Sequence, residues 1–147
     1  MLPEIESKSL AEQKKYQEKK IPELLSYLKT NSKYYAQLFL KKNIDITTIK
    51  TIEDLQKIPV TTKDDLQKYN NDFICVPPTK IIDYITTSGT LGDPVTFPLT
   101  DKDIDRLAYN EYISFVCANG SSDDIYQLMT TLDRRFMAGL AYFLGIR

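Results

Sequence analysis

The stretch with residue types suited to chemistry is Thr86-Thr87-Ser88-Gly89-Thr90-Leu91-Gly92-Asp93-Pro94. Hydroxyl residues surround Gly89, Gly92 follows three positions later, and Pro94 closes the run. Glycine lets the backbone approach an anion closely and turn successive N–H groups inward. The Ser and Thr hydroxyls add donors, and the proline ring restricts the exit. The run therefore suits an anion, and the polyphosphate of a nucleotide is the anion expected. The same residue types are ordinary in hairpin turns, so spacing alone leaves an empty turn open. The run is not a Walker loop, because no lysine follows Gly92 and no helix starts there. Its glycine spacing is not that of a dinucleotide fingerprint either.

The chain contains no histidine. Histidine triads, histidine bases and histidine-ligated zinc are thereby excluded. Cys75 and Cys117 lie far apart, outside any metal or redox spacing, and read as reduced thiols of a cytoplasmic protein. No metal site and no catalytic residue is assigned in this stretch of chain.

The loop needs elements to hold it. Lys80–Ile85 and Val95–Leu99 read as flanking strands, and Pro98 suits an edge or a strand end. Thr100 is expected to cap a helix with Asp101 and Asp103 in its first turn. Ile104, Leu107, Ala108, Tyr112, Phe115 and Val116 form its apolar face, and Asn119-Gly120 its stop. Ile125–Thr130 reads as a further strand. Asp133 then caps a helix from about Arg134 through Leu144, and Gly145-Ile146-Arg147 turns toward another strand. This alternation is that of a βαβ crossover.

Upstream, residues 1–79 read as a helical segment. Ser9 with Glu12 forms a capping box, and Pro22 is placed at the start of a second helix. Asn31 or Ser32 caps a third, with Tyr34, Tyr35, Leu38, Phe39 and Leu40 as its apolar content. Thr51 with Asp54 and Thr62 with Asp65 announce two short helices. Phe73–Val76 is expected to be a short strand or extended piece. The fold class is α/β: this helical segment leads into the start of a mixed or parallel sheet with crossover helices over 80–147. It is an incomplete part of a larger domain.

The 147 residues carry 19 basic and 20 acidic side chains, a net charge of −1. That balance argues against a broad nucleic-acid surface or polybasic membrane attachment. No apolar run approaches transmembrane length, and the first residues lack a basic region followed by an apolar stretch.

Thr87-Ser88-Gly89-Thr90-Leu91-Gly92-Asp93-Pro94 resembles the phosphate-loop signature of the acyl-adenylate-forming superfamily. The segment from Thr51 through Pro59-Val60-Thr61-Thr62-Lys63-Asp64-Asp65-Leu66 is similar to one found upstream of that loop in the phenylacetate–CoA ligase and coenzyme F390 synthetase family. Val76-Pro77, the helix after Thr100 and Gly139-Leu140 extend the resemblance over nearly the whole chain. Leu91 stands where the family has a hydroxyl residue. Asp93 and Val95 occupy positions of which one often carries a lysine.

The resemblance implies the N-terminal part of an enzyme that adenylates a carboxylic acid with ATP and Mg²⁺, then passes the acyl group to coenzyme A. Phenylacetate or a related aryl acid is the implied substrate. Thr87, Ser88 and Thr90 would donate hydroxyls to phosphate, Gly89 and Gly92 would admit the backbone, and Pro94 would anchor the exit. Phe136 and Met137 fall where the family places an acyl-substrate wall, although core packing also accounts for them. Residues 80–147 would be the start of the AMP-binding domain. The rest of the machinery lies outside the sequence, so this fragment is expected to be inactive alone and to self-associate through exposed apolar faces. Two other readings are an acyl-protein-synthetase-like acyl transferase and a non-catalytic helical interaction module.

Overall fold

The computed structural model describes residues 4–87, 94–130 and 137–147, which form two compact units, residues 1–75 and 76–147. In the first unit a 3-10 turn at Glu4–Ser7 precedes helix α1, Leu10–Asn31. Ser9 starts α1 as expected: its hydroxyl accepts from the Glu12 N–H, and the Glu12 carboxylate accepts from the Ser9 N–H. The Ser9 hydroxyl and backbone bonds hold the Glu12 carboxyl below its ordinary value. The break expected at Pro22 does not occur. Pro22 lies inside one continuous 22-residue helix, although it has no N–H to give to the Glu18 carbonyl. Flanking Ile21 and Leu25 are both buried in a cluster with Phe39 and Ile49, and that packing carries the helix across the missing bond.

Ser32 ends α1 and starts α2, Lys33–Lys41. It is 1% exposed; its hydroxyl accepts from the Tyr35 N–H at 3.3 Å and donates to the Asp72 carbonyl at 3.0 Å. At the other end of α2, Asn43 adopts a left-handed φ of 51°, and the Ile44 N–H returns to the Phe39 carbonyl. This is a Schellman stop, with asparagine in the place that glycine usually takes.

The two hydroxyl–carboxylate pairs that follow behave differently. Thr51 and Asp54 exchange bonds at the start of only a 3-10 turn, Glu53–Lys57, whereas Thr62 and Asp65 box helix α3, Lys63–Lys68. The strand expected at Phe73–Val76 is absent. Phe73 instead ends a 3-10 turn, Asn70–Phe73, and stacks on Tyr34 with ring centroids 4.0 Å apart. Ring packing and the Ser32–Asp72 bond hold Phe73 at the end of that turn, while Ile74, with φ −68° and ψ 124°, is extended, the other half of the expectation.

In the second unit, strands β1 (Asp83–Thr86) and β2 (Thr96–Leu99) pair antiparallel, with Asp83 opposite Leu99 and Thr86 opposite Thr96. Ile85, Val95 and Leu99 are buried on one face. Lys80 belongs to a 3-10 turn, Pro78–Lys80, so β1 begins three residues later than expected. Thr100 boxes helix α4, Asp101–Cys117, with Asp103 as its partner. The α4 stop falls one residue earlier than expected. Asn119, with φ 66°, takes the left-handed position, and the Gly120 N–H returns to the Phe115 carbonyl. A Cβ on Gly120 would collide with the Tyr126 hydroxyl.

Helix α5 spans Met137–Ile146. Asp133 and Arg134, the expected start of this helix, lie outside the described residues. Gly145 and Ile146 are helical and do not form a turn toward another strand. The reason is local: α5 packs on α4, and Gly145 sits so close to Glu111 that an added Cβ would stand 2.5 Å from the Glu111 Cβ. Residues 125–130 form no strand, because no ladder partner reaches them among the described residues. The parallel crossover part of the expected sheet is thus not formed there; the described sheet is the antiparallel pair alone. No helix among the described residues is long and apolar enough to cross a membrane.

Ser32→Ala removes a buried hydroxyl that serves two backbone groups. It should destabilise the first unit by about 2 kcal/mol, more than the exposed cap change Ser9→Ala, as read from urea denaturation midpoints. Asp54 accepts from the Lys57 ammonium at 2.7 Å and from the Lys50 and Thr51 N–H groups, which push its carboxyl far below the usual aspartate range. Because the folded value is the depressed one, this stabilisation is complete above the ordinary value of about 3.9 and is lost as pH falls through the folded value. Carbon-13 NMR titration should show the Asp54 carboxyl still ionised below the ordinary aspartate range, and Asp54→Asn, which has no carboxylate to protonate, should weaken the turn at every pH.

Candidate functional site

The loop is carried by the β1–β2 hairpin, and the described residues show how its mouth is built. The Thr87 N–H donates to the Val95 carbonyl at 3.0 Å. The Val95 N–H donates to the Thr87 hydroxyl oxygen, also at 3.0 Å. With that N–H given to a side chain, Thr87 and Val95 share one backbone bond instead of two, and the regular register ends at the Thr86–Thr96 pair. Val95 is 2% exposed, so its N–H needs a protein partner, and the Thr87 side chain is that partner. Thr87 and Pro94 themselves are exposed. The mouth thus has an anchored apolar floor and a solvent-facing rim.

Ser88, Gly89, Thr90 and Gly92, together with Leu91 and Asp93, lie outside the described residues, as does Phe136. Met137 opens α5 and is exposed. The structure brings Thr87 into register with Val95, next to Pro94. Among the described residues no hydrogen bond joins Met137 to this hairpin.

The described rim of the mouth carries no charged side chain: Thr86, Thr87, Pro94 and Thr96 are all neutral. An anion there would meet threonine hydroxyls, with no carboxylate among these residues. No group of three His, Cys, Asp or Glu side chains among the described residues could hold a metal ion. Both cysteines are free, and burial pushes the Cys75 thiol up, away from nucleophilic use.

A second concavity, of about 520 Å³, escaped the sequence reading. It lies where the C-terminal ends of α4 and α5 meet the turn after α4, and its walls include Phe115, Asp124, Tyr126 and Arg147. Phe115 and Tyr126 meet edge-on at 5.4 Å only because Asn119 reverses the chain between them, a geometry that residue spacing does not announce.

No protein-family model matches the chain. Among curated proteins it is 31% identical over 124 residues to a phenylacetate–coenzyme A ligase of Escherichia coli K12, covering 84% of this chain and 28% of the relative. It is 31% identical over 99 residues to the ligase of the same name from Aromatoleum evansii, covering 67% of this chain and 22% of that one. Protein CapK of Staphylococcus aureus is 30% identical over 97 residues, 65% of this chain and 21% of CapK. The chain therefore spans between a fifth and a third of the length of these relatives. A match of 124 residues in a chain of 147 necessarily includes residues 86–94.

Among solved structures, 2-hydroxyisobutyryl-CoA ligase in the postadenylation state, in complex with R3-HIB-AMP, superposes with a TM-score of 0.75. The identity is 18%, over 99% of this chain and 33% of that one. The same ligase in complex with 2-HIB-AMP and CoA in the thioesterification state gives 0.65, at 23% identity, over 76% of this chain and 27% of that one. The fold is that of part of an adenylate-forming enzyme domain. Over the stretch it spans, the chain belongs to the phenylacetate–coenzyme A ligase family.

Proposed function

We propose that this chain is the N-terminal, phosphate-binding part of an ATP-dependent acid–coenzyme A ligase, with residues 80–147 as the start of its AMP-binding domain. The observation that carries the reading is the union of two facts. The family match necessarily includes the Thr86–Pro94 run, and the described residues that flank it, Thr86–Thr87 and Pro94–Thr96, form the two ends of a hairpin and are all uncharged. Phenylacetate or a related aryl acid is the substrate to which the names of the curated relatives point. Cytoplasmic location and self-association through exposed apolar faces belong to the same reading.

In this assignment the residues act by position and electrostatics. Thr87 fixes the mouth through Val95, and its hydroxyl, which accepts that bond, would keep a proton to donate to phosphate. Ser88 and Thr90 donate hydroxyls, Gly89 and Gly92 admit the backbone to the phosphates, and Pro94 limits the exit. When bound, ATP supplies the phosphorus at which a carboxylate is activated. The described residues offer no three-ligand set for Mg²⁺, so the ion would enter as the companion of the phosphates. Phe136 and Met137 would form part of the wall facing the acid.

Titration with millimolar magnesium pyrophosphate should shift the Thr87 and Val95 amide resonances in a nitrogen-15 correlation spectrum. Thr87→Ser should keep the response. Thr87→Val should weaken it and speed Val95 amide exchange about tenfold, the scale of one lost hydrogen bond. An unmoved hairpin at saturating ligand sinks the phosphate assignment. The chain alone should give no acid-dependent exchange between ATP and labelled pyrophosphate; robust exchange would show that the site is complete within these residues.

A further inference from the structure

We draw no further inference here: the strongest candidate, the concavity of about 520 Å³ where the C-terminal ends of α4 and α5 meet the turn after α4, opens beside exposed Val116 and Arg147, and nothing in the structure shows what covers it.

Discussion

A hydroxyl three residues ahead of a carboxylate is the interaction on which most of this structure depends. Ser9 with Glu12, Thr62 with Asp65 and Thr100 with Asp103 each exchange reciprocal bonds between side chain and backbone, and each pair starts a helix. The Thr100 pair has the largest structural effect, because it follows Leu99, the last residue of β2, directly. It turns the chain from strand to helix with no connecting loop. The hairpin and α4 thereby become one continuous piece, and the loop mouth is carried on a helix rather than on a flexible linker.

Local reciprocity of this kind is legible in sequence because it needs only residue types at fixed spacing. The three boxed helices, a cap at Asn31 or Ser32 and the two strands flanking the loop could all be read that way. What could not be read depends on contacts between distant residues. Pro22 has the local signature of a helix start, yet α1 runs through it because Ile21 and Leu25 are buried with Phe39 and Ile49. Phe73–Val76 has strand composition, yet Phe73 is held against Tyr34 in a turn. Ile125–Thr130 has strand composition and strand-like exposure but has no ladder partner among the described residues. The α4 stop was expected at the glycine, yet Asn119 takes the left-handed φ and the Gly120 N–H returns to the Phe115 carbonyl.

The site was legible in kind more than in detail. Hydroxyls and glycines between two strands suggested an anion loop, but nothing in residue types distinguishes a donor that faces a ligand from one that faces the protein. The structure makes that distinction at Thr87. Its oxygen serves the buried Val95 N–H, so the side chain is part of the hinge of the mouth before it is part of any binding surface. A hydroxyl can accept one bond and donate another, which lets one residue connect the apolar floor of the hairpin to whatever lies above it.

The absence of histidine has a consequence beyond the mechanisms it excludes. Imidazole is the side chain whose ordinary value places its charge change between pH 5 and 8. Without it, and with the Asp54 and Asp103 carboxyls held low, the side-chain charge around the caps stays constant through neutrality. A proton taken up or released on binding near pH 7 would then report chiefly on the ligand, such as the terminal ionisation of a phosphate. For this protein, calorimetry in buffers of different ionisation enthalpy becomes a means of reading the protonation state of the bound molecule.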